Sequence, residues 1–514
     1  MNYYQYFKNT VLRLPYKTAV IFQDRHYTYR ELDERICRLA SVMKQNQIKK
    51  GKHVGLICTN CNACIEIILA AAMLGAVSEQ FNWRTSPSEM AELIQDSSAD
   101  LVFLTADLLE RFHALNLTDK KELNLIVIGD TSQELLSYER LLAAAPANLH
   151  TEELSSDDPL FVFYTSGTTS KPKRVLLSIG SVLYHNMALL ADIGWREDDV
   201  HLHYLPLFHT SSGGIYCTLF TGGTVSLQVR FNAEDWIRAV KEQNVSSCGM
   251  VPNTIAWLTD HPEFSHEKLP SLRWMIYAGA PMPRDVLEKA IRRMGSIFVQ
   301  LYGMTEMCPS IAILTPADHL RLLNEKKEPL PNGRPLFGSF LAVMNEDGSL
   351  CQPYATGEIV VRGPQMMLGY EGQPELTASV IRDGWYHTGD LGYLDEHQYL
   401  YLIGRKNRMI ISGGENIYPS QVESCIRSMG DMIADVAVLG IPDDKWGEAV
   451  AAVIALKPGY SCDEAEVLRY CQEHLPDYMK PRYLRFVEKI PHLESGKVEY
   501  KLLKSFFSRS ATKS

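Results

Sequence analysis

Residues 164–175 read YTSGTTSKPKRV. The run FVFY at 161–164 is apolar and aromatic, with the character of a strand. Small hydroxyl residues follow, then Lys171, Lys173 and Arg174. A strand feeding such a loop, with cations at the exit, can cradle a polyanion. Gly167 lets backbone N–H groups approach a ligand, and the hydroxyls of Thr165, Ser166, Thr168 and Thr169 add donors. The same composition suits a solvated Ser/Thr turn, and the loop alone does not separate the two. It is not the nucleotide loop G-x-x-x-x-G-K-[ST], a string the chain lacks.

Outward from this loop, strand and helix patterns alternate. Residues 17–30 alternate in strand fashion, and 31–46 carry Leu32, Ile36, Leu39 and Met43 on one helical face. VGLIC (54–58) precedes a helix over 62–75, and LVFLT (101–105) and LIVIG (125–129) read as further buried strands. The alternation continues with a helix near 181–192, TVSL (224–227), a helix near 233–242, SSCGMV (246–251), WMIYAG (274–279) and IFVQLYG (297–303). This predicts an α/β fold of doubly wound sheets. From about 334 short strands separated by turns predict an antiparallel β subdomain. From Gly404 a small α+β region is expected, with a helix over 420–428 and another over 463–474. The expected domains are therefore 1–403 and 404–514, joined at a polar, Gly-containing seam near 401–408.

At 514 residues more than one domain is expected, and 46% hydrophobic residues suffice for a large core. A net charge of −10 argues against a general nucleic-acid binder. MNYYQYFKNT is no secretory signal, the run at 67–77 is too short to span a bilayer, and the final TKS is not the peroxisomal address SKL. A cytoplasmic location and no membrane span are expected. Cys58, Cys61 and Cys64 form C-x-x-C-x-x-C, a pattern open to zinc or iron–sulfur ligation. No fourth Cys or paired His follows at ligand spacing, so buried reduced thiols are the better reading.

Several polar loops follow buried strands, and in open α/β sheets ligands sit where strands end. YAGAP (277–281) offers small residues fit for a flat ring. LYGMTE (301–306) offers an aromatic, a hydroxyl and a carboxylate. GWYHTGD (384–390) ends in Asp390, Arg405 follows in LIGR, and LESGKV (493–498) isolates Lys497 among small residues.

These strings, with LPLFH, GEI-VRG and GR-N-MIISGGENIYP, occur in the order found in the adenylate-forming superfamily of acyl- and aryl-CoA synthetases, amino-acid adenylation domains and firefly-type luciferases. The chain resembles that superfamily over roughly residues 27–503, and its fatty-acyl CoA ligases most. The resemblance implies ATP, Mg²⁺ and CoA as cofactors. It implies that Thr165, Ser166, Gly167, Thr168, Thr169 and Lys173 hold the β- and γ-phosphates, and that Gly279, Ala280, Pro281 and Tyr302 receive adenine. It implies an α-phosphate contact for Thr305 and a metal-ligand role for Glu306. Asp390 and Arg405 match the ribose contacts, and His209 a residue between acyl pocket and carboxylate. Lys497 matches the lysine bridging substrate carboxylate and α-phosphate. The small C-terminal domain is expected to rotate about Asn407, withdrawing Lys497 and presenting Gly413 and Gly414 to a pantetheine arm.

Three residues depart from the pattern. Ser170 and Arg174 stand at positions usually Gly, where a positive φ would be strained and the loop reshaped. Arg174 could instead add a cation. Asn407 replaces the usual Asp or Lys, and Asn tolerates left-handed backbone. His209 stands where amino-acid adenylation domains carry Asp, which disfavours an α-amino acid. The acyl pocket is expected to draw on 208–216, 251–257, 277–279 and 304–309, where glycines (Gly213, Gly214) suit a chain tunnel and aromatics (Tyr216, Trp257, Tyr277) suit an aryl acid. The expected reaction is ATP-dependent ligation of a fatty or related carboxylic acid to CoA. The alternative is a stand-alone ligase loading a carrier protein. A non-catalytic nucleotide-binding relative is a third reading, opposed by the joint presence of Glu306, Asp390, Arg405 and Lys497. Luciferase-type oxidation is not separable by motif.

Overall fold

The computed structural model describes residues 2–112, 124–130, 136–147, 151–165, 172–325, 329–413, 415–430, 432–443, 445–492 and 498–507. Two large sheets form the N-terminal part. The first has eight strands, with Pro159–Thr165, Val77–Gln80, His53–Ile57, Ala99–Thr105, Asn124–Ile128 and Leu136–Ser137 parallel and in that spatial order. Lys173–Ser178 closes its edge antiparallel to Pro159–Thr165, and Gly369–Tyr370 pairs outside that. The second has nine strands around a parallel core of Thr18–Phe22, Thr224–Leu227, Val200–His203, Ser247–Met250, Trp274–Tyr277 and Phe298–Gly303. The expected doubly wound α/β architecture is what the structure has. Both sheets are covered by helices, so their strands read as continuous apolar runs.

The helix Asn62–Leu74 shows why the pattern was readable. Every residue of NACIEIILAAAML is buried, and Gly75 ends the helix at φ 68°. Burying each of Ile65, Ile67, Ile68 and Leu69 stabilises the fold by roughly 1.5–3 kcal/mol. Ala71→Asp would place a charge there with no partner. The helix Tyr29–Gln45 begins at a capping box, Thr28 with Glu31. The alternating stretch before it is two strands, Thr18–Phe22 and Arg25–Thr28, folded back at Gln23 (φ 53°). An initial helix, Tyr3–Arg13, was not expected from the sequence. It buries Tyr3, Tyr4, Phe7 and Val11, and Tyr4 donates to Asp33 Oδ1 at 2.5 Å.

The antiparallel β subdomain holds Phe340–Met344, Gly357–Arg362, Trp385–Leu394, Ile381–Arg382 and Leu400–Arg405. Leu400–Arg405 therefore stays paired to residue 405, and a short 3-10 turn, Lys406–Arg408, follows. The last sheet holds Glu415–Ile417, Ile410–Ser412, Gly447–Leu456, Ile433–Asp443 and Tyr483–Val487, packed by Pro419–Arg427 and Glu464–His474. No described helix is long and apolar enough to cross a membrane.

Cys58, Cys61 and Cys64 are buried. Cys61 Sγ lies 3.7 Å from Cys64 Sγ, and Cys58 and Cys64 donate to the carbonyls of Phe103 and Thr59, each at 3.5 Å. Among the described residues they form no cluster able to hold a metal.

Candidate active site

The polar loops that end the two large sheets meet the β subdomain. Thr165 and Lys173 are register partners at the mouth of a hairpin. The loop residues Ser166, Gly167, Thr168 and Thr169, with Ser170, lie outside the described residues. Lys173 Nζ sits 4.9 Å from the centroid of the Tyr370 ring. Arg174 is in extended strand opposite Tyr164, so the residue in a glycine's place strains nothing. It is also not a spare cation for phosphate. Its guanidinium is held by Glu79 Oε1 at 3.0 Å and Glu371 Oε2 at 2.7 Å.

Thr305 and Glu306 lie on a single 3-10 turn, Thr305–Met307, directly after the strand Phe298–Gly303. Glu306 is 8% exposed, and its Oε1 accepts from the Tyr370 hydroxyl at 2.9 Å. Burial, and then the Glu306 charge, push the Tyr370 and Tyr386 phenols up. Both stay protonated donors at neutral pH. The other buried carboxylates among the described residues are compensated differently. Asp33, Glu66, Glu79, Asp199, Asp318 and Asp390 each face a Lys or Arg, namely Lys8, Arg35, Arg174, Arg273, Arg334 and Arg405. Asp395 accepts two backbone N–H groups, from His397 and Tyr399, and the Tyr401 hydroxyl. Among the described residues Glu306 has phenols alone. A buried carboxylate without a counter-charge is costly, and a hard divalent cation fits its oxygen chemistry.

Asp390 is 6% exposed. Strand register sets it opposite Arg405, whose Nε lies 2.9 Å from its Oδ1. Tyr302, on the strand Phe298–Gly303, donates to Oδ2 at 2.7 Å. Burial, then the Asp390 charge, raise the Tyr302 phenol well above its ordinary value. Tyr302, Asp390 and Arg405, from two parts of the sequence, thus meet in one hydrogen-bonded group. Gly279 (φ 89°) and Pro281 are exposed and Ala280 half-buried, just beyond the strand Trp274–Tyr277; a Cβ at Gly279 would meet nothing.

His209 is exposed, with its ring centroid 4.4 Å from that of Phe208. Trp83 meets Phe208 edge-on at 6.2 Å, and the Arg84 guanidinium lies over both rings, 5.1 and 5.8 Å from their centroids. Gly413 has φ 61° and packs against Trp446, which a Cβ would approach to 2.8 Å. Gly414 and Lys497 lie outside the described residues. Asn407 sits in the 3-10 turn and not in a left-handed conformation.

Sequence reasoning missed Tyr370, Tyr386, Glu79, Glu371 and the Trp83–Arg84 pair. Tyr370 had one signal, the GY of LGYEG after an apolar run, which suits a short strand. The others depend on contacts between segments far apart in sequence and carried none.

A family model described as AMP-binding enzyme matches residues 7–371, and one described as AMP-binding enzyme C-terminal domain matches 421–497. The chain is 33% identical over 487 residues to an indoleacetate–CoA ligase of Aromatoleum aromaticum, covering 94% of each chain. It is 31% identical to a 2-succinylbenzoate–CoA ligase of Bacillus pumilus, covering 96% of this chain and 95% of that one. The fold superposes on ATP-bound MatB from Rhodopseudomonas palustris with TM-score 0.88 at 26% identity, covering 99% and 100% of the chains. It superposes on the AMP complex of o-succinylbenzoate CoA synthetase from Bacillus subtilis with TM-score 0.84 at 28% identity, covering 97% and 98%. The chain belongs to the adenylate-forming, AMP-binding enzyme family. It is an AMP-forming acid–thiol ligase that uses ATP, Mg²⁺ and CoA to ligate a small carboxylic acid. The expected likeness to fatty-acyl ligases is looser, since the curated relatives above are named for aromatic acids.

Proposed function

We propose that the protein activates an aryl or arylalkyl carboxylic acid as its adenylate and passes the acyl group to CoA. The observation that carries the substrate class is the aromatic corner of Trp83 and Phe208 beside His209, capped by Arg84. Aromatic faces and edges there suit an aromatic ring better than an alkyl chain. The names of the relatives point the same way. A fatty acid is the reading this displaces. The second reading, a carrier protein in place of CoA, is opposed by the names of the relatives above, which are CoA ligases.

In the first half-reaction the acid's carboxylate attacks the α-phosphorus of ATP, and pyrophosphate leaves. Tyr302 and Arg405 hold Asp390 oriented, ready to accept from ribose hydroxyls. Thr165, Lys173 and residues 166–169 grip the departing phosphates. Glu306, oriented by Tyr370, would hold Mg²⁺, which supplies positive charge to the phosphates. Lys497 stabilises the charge that develops at the α-phosphate. The smaller part begins after the strand Leu400–Arg405, close to the expected seam at 404, and turns about Asn407 between half-reactions. Gly413 and Gly414 then line the thiol's approach, where a side chain at Gly413 would collide with Trp446.

The test is pyrophosphate release across aryl, fatty and small polar acids, with CoA or phosphopantetheinylated carrier protein as acceptor. Aryl acids with CoA should give the highest kcat/KM. Turnover confined to long-chain acids would overturn the substrate class, and thioester formed only on the carrier would establish the second reading. Lys497→Ala should abolish adenylate formation while ATP still binds.

A further inference from the structure

We propose that Arg174 is a positioning residue for the ATP-phosphate hairpin, bridging Glu79 on the neighbouring strand to Glu371 beside Tyr370. This rests on the adenylating role of the hairpin argued above. Arg174 begins where the described part of the hairpin returns, one residue after Lys173. Successive strand residues point to opposite faces. Lys173 therefore faces Tyr370, while Arg174 faces the interior of the first sheet. There it meets Glu79, which is fully buried, and Glu371. Its guanidinium also donates to Ser98 Oγ at 3.0 Å and to the Asp96 carbonyl at 3.3 Å.

His53, Glu79 and Glu371 bring ligand atoms within 4.8 Å of one another, a constellation able to hold a cation. His53 Nδ1 lies 3.4 Å from Glu79 Oε2, and Nε2 3.4 Å from Glu371 Oε1. Here the guanidinium of Arg174 takes the cation's place between the two carboxylates. Tyr164, the last-but-one residue of the strand entering the loop, donates to the same Glu79 oxygen at 2.5 Å. One buried carboxylate thus holds both limbs of the hairpin, Tyr164 on the way in and Arg174 on the way out.

The other end of the bridge leads to the metal carboxylate. Glu371 N–H donates to the Arg174 carbonyl at 2.8 Å, and Tyr370 is the register partner of Val175. Fixing Glu371 fixes the backbone of Tyr370, whose hydroxyl holds Glu306. Arg174 therefore sets Thr165 and Lys173, the two ends of the phosphate loop, relative to Glu306 without touching ATP. A glycine here would leave Glu79 buried and uncompensated, and a lysine, with one nitrogen, would lose the second contact that Arg174 makes through Nη1 to the Asp96 carbonyl.

The test compares wild type, Arg174→Lys and Glu371→Gln. ATP affinity is read by calorimetry with no acid present, and two half-reactions are read separately: adenylate formation from ATP, and thioester formation from supplied acyl-adenylate and CoA. Arg174→Lys should weaken ATP binding and raise KM for ATP about tenfold, the loss of one charge-assisted hydrogen bond. Glu371→Gln should shift both in the same direction. Thioester formation should stay within about twofold of wild type, because that step no longer needs the β- and γ-phosphates. Equal losses in both half-reactions would reduce Arg174 to a structural residue and overturn the proposal, as would unchanged ATP affinity in both variants. If Arg174→Lys does not fold, Glu371→Gln, at a partly exposed site, decides alone. Wild type that binds ATP but forms no adenylate from any acid would sink the functional reading and leave the affinity test standing.

Discussion

Glu306 and Asp390 are nearly equal in burial, and each accepts a tyrosine hydroxyl, Tyr370 at 2.9 Å and Tyr302 at 2.7 Å. They differ in one partner. Asp390 has Arg405, and Glu306 has no cation among the described residues. A compensated carboxylate is a fixed hydrogen-bond acceptor, suited to neutral hydroxyls such as those of ribose. An uncompensated one is an unmet charge, and it gains most from a metal. The difference assigns two roles to two similar side chains without reference to any motif.

The comparison supposes that burying an ionisable group without a counter-charge is costly, and the largest expected effect tests that supposition on imidazoles. Burial lowers His185 and His201 to about 3, and His203 and His319 to about 4. The unfolded chain takes up these protons near pH 6.5 and the folded chain does not, so stability is full above that pH and falls below it. Each histidine costs about 1.4 kcal/mol per pH unit over that window, and the four together roughly 5–6 kcal/mol per unit. Urea denaturation at pH 7 and pH 5 should show a sharply lower midpoint at pH 5. Equal midpoints would undo the premise.

Next, Glu306→Gln should lower the rate of adenylate formation about 10²–10³-fold. Its melting temperature should hold or rise, because no arginine is orphaned. A fall of several degrees would mean that Glu306 is structural and the comparison false. Arg405→Met should turn Asp390 into a second uncompensated carboxylate, raising KM for ATP about tenfold. If ATP binding by calorimetry is unchanged in that variant, Arg405 does not orient Asp390. The smallest effect belongs to Tyr370→Phe, which should raise the Mg²⁺ concentration for half-maximal rate by about 3–10-fold. Tyr302→Phe should leave that Mg²⁺ requirement alone, and a shift there would merge the two sites.

The strands of the two large sheets were legible because helices cover both faces, which leaves unbroken apolar runs such as LVFLT. The helix Asn62–Leu74 was legible for the same reason. The Tyr3–Arg13 helix was not, because tyrosines supply its buried face and tyrosine reads as half polar. At the site, motif strings carried Tyr302, Glu306, Asp390 and Arg405, and the structure adds how they are joined. Pairings such as Tyr302 with Asp390, or Tyr370 with Glu306, follow from register across strands far apart in sequence, and no local pattern encodes them. Arg174 is the sharpest case. Read against a glycine position it looked like strain or a phosphate ligand, and its actual partners, Glu79 on the strand Val77–Gln80 and Glu371 just after Gly369–Tyr370, are far from it in sequence.

The outer strand Gly369–Tyr370 also bears on how the protein is made. It pairs with Lys173–Ser178 and brings Glu371 to Arg174, yet it is synthesised about 200 residues later. At ribosomal speeds that is a delay on the order of 10–40 s. For that interval the first sheet carries an open edge and a half-buried Arg174 lacking one of its two carboxylates. An exposed edge of this kind is a template for pairing with another chain. The stretch of synthesis between residues 178 and 371 is thus when a nascent chain is most prone to aggregate, and a chaperone that shields strand edges would matter most then.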